Sequence, residues 1–369
     1  MTCTSFVRTA LIVAVSAAGL SSLPAIGTDV AAQGTPRGRS VPTFEVDRAW
    51  PKVPPQWKLG DASSIAIDAQ DNVYVLHRPR TLKPEDAAKA APPVMVFDPA
   101  GNFVKSWGGP GSGFEWPERE HGIHIDHKGF AWIGGNNCPT SGIAGLKPVA
   151  DDALLKFSLD GKFLLQIGKS NQSKGDTDTV NVHRAADAWV WPRTNELFVA
   201  DGYGNHRIVV FDAGSGKFKR MWGAFGKAPA DDDHCTLTPA QPITGDGPPQ
   251  FSIVHAVRVA NDGTVYVADR EHRRVQMFSG DGKFLKQLVK ADTTFARDLA
   301  LSPGPDQPFL YVGNGDDIQI VDRKTLEIVG AIKVPGQIGG GHHLATDSKG
   351  NLYIAQTAAG LQKLRLIAN

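Results

Sequence analysis

His121, His255 and His342 each stand 11 residues before an aromatic residue at the centre of a short apolar run, namely Trp132, Tyr266 and Tyr353. Imidazole nitrogens are ligands for divalent metals, and three of them with one open position form the ligand set of a catalytic zinc site. Other divalent ions also accept imidazole, and availability favours zinc. Matched positions occur again downstream of the aromatics. Arg78 lies four residues after Tyr74, Arg270 four after Tyr266, and Tyr203 five after Phe198. Taken singly, an arginine so placed reads equally well as a surface ion pair; its recurrence in two units favours a functional role. Tyr203 sits within VADGYGNHRIVVFD (199–212), where Gly202, Gly204 and Asn205 already satisfy the turn. Guanidiniums grip carboxylates in a bidentate manner. A metal and guanidiniums nearby favour the anionic form of a phenol, and a phenolate is a competent general base. The chemistry implied is proton removal from a metal-bound hydroxyl on a small-molecule or peptide substrate bearing a carboxylate. The other histidines (His77, His124, His127, His183, His206, His234, His272 and His343) lack this register and are assigned structural or surface roles.

Such residues converge only if the chain repeats. Six segments share an apolar–aromatic–apolar pattern: NVYVLHR (72–78), FAWIGGN (130–136), ELFVADGY (196–203), TVYVADR (264–270), FLYVGNG (309–315) and NLYIAQT (351–357). A strand and a turn precede most of them, and two further strands around a polar turn follow. Four short strands per unit, repeated six times, predict an all-β fold, a six-bladed β-propeller. The last unit ends one strand short, and TFEVDRAW (43–50) would supply that strand, close the ring and remove an exposed edge. The first strand of each blade lines the central channel. Alternate blades are about 120° apart, so histidines in the second, fourth and sixth blades would meet at the axis. The second strand returns to the same mouth, which brings Arg78, Arg270 and Tyr203 there. At the equivalent level, blades one, three and five offer Ser63, Ala186 or Asp187, and Arg297 or Asp298.

Lys plus Arg (39) nearly balance Asp plus Glu (38), which argues against nucleic acid as a partner. Arg8 precedes the apolar run ALIVAVSAAGL (10–20), too short to span a bilayer. With small residues after it, residues 1–32 read as a signal peptide. The expected organisation is a leader (1–32), an N-terminal segment with the ring-closing strand (33–58) and the propeller (59–369). The mature chain is expected to be secreted or periplasmic, with no membrane contact after cleavage. Cys138 and Cys235 lie in loops of the expected active-site face, so a disulfide between them is geometrically allowed. Long insertions at 83–92, 138–152 and 231–249 are expected to shape the mouth.

From roughly residue 60 to 360 the sequence resembles the peptidyl-α-hydroxyglycine α-amidating lyases, six-bladed propellers related to NHL-repeat proteins. The resemblance is most specific in DGYGNHRIVVF, VHAVRVANDGTVYVADREHRRVQMF, EHGIHIDHKGFAWI and VYVLHR. It implies zinc at His121, His255 and His342, catalysis by Tyr203, and active-site roles for Arg78 and Arg270. The implied reaction cleaves a C-terminal α-hydroxyglycine to a peptide amide and glyoxylate. The family's vertebrate members have a cysteine where this chain has Gly204. His343 replaces their calcium-linked aspartate, which puts calcium in doubt here. No hydroxylating domain is recognisable in the sequence, so a separate hydroxylating enzyme would supply the substrate. Two other classes stay open on the residues alone: a metal-dependent propeller hydrolase or lactonase, and a non-catalytic NHL-type binding propeller. A trigonal histidine set is foreign to both.

Overall fold

The computed structural model describes residues 40–229, 245–290, 294–334 and 338–368. The expected leader and Cys235 lie outside them. Cys138 is buried and disulfide-bonded.

Among the described residues, twenty-four strands form six antiparallel four-stranded sheets. Blade one comprises β2 (Asp61–Ile67), β3 (Val73–Arg78), β4 (Val94–Phe97) and β5 (Phe103–Trp107). Blade two comprises β6 (Glu120–Ile125), β7 (Phe130–Gly135), β8 (Ala153–Ser158) and β9 (Phe163–Gly168). Blade three comprises β10 (Asp187–Trp191), β11 (Glu196–Asp201), β12 (Arg207–Asp212) and β13 (Phe218–Trp222). In blade four are β14 (Val254–Val259), β15 (Val265–Asp269), β16 (Arg274–Phe278) and β17 (Phe284–Val289). Blade five holds β18 (Leu299–Leu301), β19 (Phe309–Gly313), β20 (Asp317–Asp322) and β21 (Ile328–Lys333). Blade six joins β22 (His343–Thr346), β23 (Leu352–Gln356) and β24 (Gly360–Ala368) to β1 (Thr43–Val46). The N-terminal strand thus closes the ring as the short sixth repeat requires, with Phe44 opposite Leu366 and Val46 opposite Leu364. Innermost strands touch their neighbours in sequence, and β22 meets β2.

Period-two alternation explains why the middle of each blade's second strand is apolar on both faces. Leu197 and Val199 pack toward blade two, while Phe198 and Ala200 pack toward blade four. Val73 and Val75 face blade six in the same way, and Tyr74 and Leu76 face blade two. Each blade interface is therefore its own apolar cluster. Losing one of its rings, as in Phe198→Ala, would cost about 3–5 kcal/mol. The conserved spacing of the central aromatic has a polar cause in three blades. Asp126 accepts the backbone N–H groups of Lys128 and Phe130 and the indole N–H of Trp132. Asp347 repeats this with Lys349, Asn351 and the Tyr353 hydroxyl, and Asp68 anchors the corresponding turn of blade one. The turn and the ring are fixed together.

The inner strands β2, β6 and β14 each carry a register shift near their start, between Ala62 and Ser64, Glu120 and Ile123, and Val254 and Ala256. A bulge re-aims the side chain at which it occurs. His121 and His255 lie within two of these bulges.

Candidate metal centre

The three histidines in matched register meet on the axis, and a fourth joins them. One ring nitrogen from each of His121, His255, His342 and His343 lies within 4.8 Å of every other. Ring centroids of the first three are 4.7–5.0 Å apart. His121 and His255 open the innermost strands of blades two and four, and His342 immediately precedes β22 in blade six.

Alternate blades hold these rings in place. His121 Nδ1 lies 2.7 Å from the carbonyl of Ala186, His255 Nδ1 2.5 Å from that of Arg297, and His342 Nδ1 2.7 Å from that of Ser63. These acceptors belong to blades three, five and one. A carbonyl can only accept, so each Nδ1 carries the proton and each Nε2 offers a lone pair to the axis. Burial, reinforced by nearby guanidiniums and, for His121, His255 and His342, by the neighbouring imidazoles, holds all four rings well below the usual histidine range. They are neutral and ready to bind. Nε2 of His255 is buried with no hydrogen-bond partner, which is costly unless something occupies it. The donor set fits a divalent metal held by His121, His255 and His342.

His343, given a structural or surface role from sequence, lies in the same cluster. It is fully buried, its Nε2 is also unpartnered, and its Nδ1 lies 3.7 Å from Asp298 Oδ2. Asp298 in turn belongs to an ion network with Arg258 and Asp187 that links blades three, four and five. Burial raises the Asp298 carboxyl.

Tyr203 reaches this cluster. Its hydroxyl lies 3.0 Å from His121 Nε2, to which it donates, and accepts a 2.9 Å hydrogen bond from Arg270 Nη1. The Arg270 guanidinium also lies 5.3 Å from the Tyr203 ring centroid. Three buried side chains, Asp201, Arg207 and Asp176, position the turn that carries Tyr203. Asp201 pairs at 2.9 Å with Arg207, both fully buried, and accepts the N–H of His183 and the amide of Asn205. Arg207 spends its remaining donors on the carbonyls of Asp176, Asp178 and Asn181. Asp176 takes both the backbone and the ring nitrogen of His206. The glycines flanking Tyr203 are steric requirements. A Cβ on Gly202 would come within 2.2 Å of the Val254 backbone, and one on Gly204 within 2.0 Å of the His183 ring.

The two predicted arginines are both present at the mouth. Arg78 is buried, and its Nε donates to the Glu120 carbonyl at 2.8 Å. Burial and repulsion from Arg119 push its guanidinium down to about 10, against the pull of Tyr203. Its charge in turn disfavours protonation of His121 and His342. Arg270 is more committed than the sequence implied, since Nε pairs with Glu271 at 2.8 Å. Burial opposes its charge, but Tyr203 and Glu271 outweigh that and raise it. Arg297, unassigned from sequence, adds a third guanidinium. Burial and Arg270 lower it, while Tyr203 and Glu271 act in the opposite sense.

No protein-family model matches the chain. It is 28% identical over 289 residues to peptidyl-glycine alpha-amidating monooxygenase A of Xenopus laevis, covering 74% of this chain and 27% of that protein. Against the mouse peptidyl-glycine alpha-amidating monooxygenase the identity is 28% over 345 residues, 84% of this chain and 31% of that protein. Mouse NHL repeat-containing protein 3 is 24% identical over 246 residues, 65% of this chain and 58% of that one. The chain is thus a distant homologue of these proteins, and it spans under a third of the length of the amidating monooxygenases it matches.

Proposed function

We propose that this protein is an exported, metal-dependent lyase that cleaves the C–N bond of a carboxylate-bearing carbinolamide, such as a C-terminal α-hydroxyglycine, to an amide and glyoxylate. The observation that carries this reading is the placement of the Tyr203 hydroxyl, 3.0 Å from a candidate ligand nitrogen and 2.9 Å from Arg270. A zinc-like ion at His121, His255 and His342 would supply Lewis acidity to the substrate hydroxyl. The remaining work falls to the chain's own residues. Arg78 and the uncommitted Nη2 of Arg270 hold the carboxylate. Tyr203, positioned by Arg270, is the base that takes the hydroxyl proton. The electron pair of that O–H bond forms the aldehyde C=O, the C–N bond breaks, and the nitrogen regains a proton to leave as the amide. Atoms balance without water or an oxidant. Supporting this over a binding module is the four-imidazole cluster itself, which a protein-binding surface has no use for. A hydroxylating reaction would supply the carbinolamide.

The test is product analysis with N-benzoyl-α-hydroxyglycine. Metal-loaded protein is expected to release benzamide and glyoxylate in equal amounts. Tyr203→Phe is expected to lose on the order of 10²–10⁴-fold in rate while keeping its metal. Absence of glyoxylate from metal-loaded wild type would overturn the lyase reading.

A further inference from the structure

A slot of about 650 Å³ lies between blades one and two. Pro79 and Arg80, which follow Arg78, form part of its wall, and Glu120, which precedes His121, forms another part. The insertions of both blades complete it. Trp57, Trp116, Pro92, Pro110 and Leu146 give it an aromatic and proline lining. Flat rings and prolines of this kind receive an aromatic ring by offset or edge contacts.

One atom in this wall has no partner. Trp116 donates its indole N–H to Glu120 Oε1 at 3.0 Å, which fixes the carboxyl group. Glu120 is only 6% exposed, and its Oε2 is buried with no hydrogen bond. Leaving such an atom unmet is costly, and natural structures rarely do so without a ligand or a role. Glu120 also links the slot to the reacting centre, because its backbone carbonyl receives the Arg78 guanidinium.

We propose that this slot binds the acyl part of the substrate and selects an aromatic ring bearing a hydroxyl group, a phenol, which pairs with Glu120 Oε2. The proposal rests on the lyase reading for the word substrate, but not for the slot. A phenol hydroxyl donates to Oε2, the carboxyl oxygen left to accept, whereas an amide nitrogen at that place could only donate. With the carboxylate end of the substrate at Arg78, the acyl end is directed past Glu120 into the aromatic lining.

The experiment compares 4-hydroxyphenylacetyl-, phenylacetyl- and acetyl-α-hydroxyglycine as substrates. In parallel, calorimetry measures binding of 4-hydroxyphenylacetylglycine and phenylacetylglycine, which lack the reactive hydroxyl. Wild type is expected to favour the phenol over the phenyl by about 10-fold in both kcat/KM and affinity. Glu120→Gln, which keeps the shape and the Trp116 contact, is expected to reduce that preference about 10-fold at unchanged metal content. Leu146→Trp, at a half-buried position of a largely exposed loop, is expected to cost the aromatic ligands about 10-fold and the acetyl substrate less. Equal binding of phenol and phenyl by wild type would overturn the proposal whatever the catalytic result. Phenol-selective binding that Glu120→Gln abolishes, without glyoxylate from any substrate, would support the slot and overturn the lyase reading alone.

Discussion

His77 offers a sharp test of how the scaffold holds its imidazoles neutral. It is fully buried, with both ring nitrogens engaged: the Gly60 N–H donates to Nδ1 at 3.2 Å, and Nε2 donates to the Pro92 carbonyl at 2.9 Å. A second proton would have to displace the Gly60 N–H. Burial accordingly pushes the ring down to about 4, only partly opposed by the Pro92 carbonyl. In the unfolded chain the same ring titrates near 6.5. Below that pH the unfolded state binds a proton that the folded state refuses, so stability falls as pH drops from about 6.5 toward 4. From pH 7 to pH 5 this one group removes about 2 kcal/mol, roughly a 30-fold change in the unfolding constant. Gln at position 77 can meet both backbone partners without titrating. In urea unfolding of metal-free protein, the loss of stability between pH 7 and pH 5 is expected to be about 2 kcal/mol smaller for His77→Gln than for wild type. An equal loss in both proteins would refute the claim that burial excludes the proton.

Other outcomes follow from the support around Tyr203. Arg207→Met leaves Asp201 without its buried partner and three carbonyls unmet, and is expected to cost about 3–5 kcal/mol in chemical unfolding. Gly204→Ala forces a methyl group against the His183 ring. It is expected to cost about 1–3 kcal/mol and to lower turnover while bound metal, measured by atomic absorption, stays at the wild-type level. Arg270→Lys cannot keep both the Tyr203 and the Glu271 contact. Its kcat/KM is expected to fall by about 10²-fold, with metal content unchanged.

The fold and three of the four histidines were legible because a propeller repeats. Equal offsets from a central aromatic become equal heights in the channel, so His121, His255 and His342 could be aligned by counting. The ring-closing strand was legible for a related reason, since a blade one strand short leaves an edge that TFEV fills. His343 was not. Neighbours along a strand point to opposite faces, so a ligand at 342 argues against one at 343. The irregular backbone before β22, with Gly339 and Gly341 at positive φ, lets both rings join the cluster. The carbonyls of Ser63, Ala186 and Arg297 were also hidden, because a backbone acceptor leaves no mark on residue identity. At that level of the channel the sequence offers Ser63, Ala186 or Asp187, and Arg297 or Asp298, without marking which residue or which atom serves. Glu120 and the slot beside it depend on insertions whose lengths differ between blades, and no repeat predicts how such loops fold.

The most direct test of the central claim is the zinc dependence of glyoxylate release. Protein stripped with a chelator would be titrated with zinc while bound metal and glyoxylate from N-benzoyl-α-hydroxyglycine are measured on the same samples. Activity is expected to be absent at the start and to rise in proportion to bound zinc up to one ion per chain, with His255→Ala neither retaining the ion nor releasing glyoxylate. Full glyoxylate release by the stripped protein, or by His255→Ala, would contradict the account.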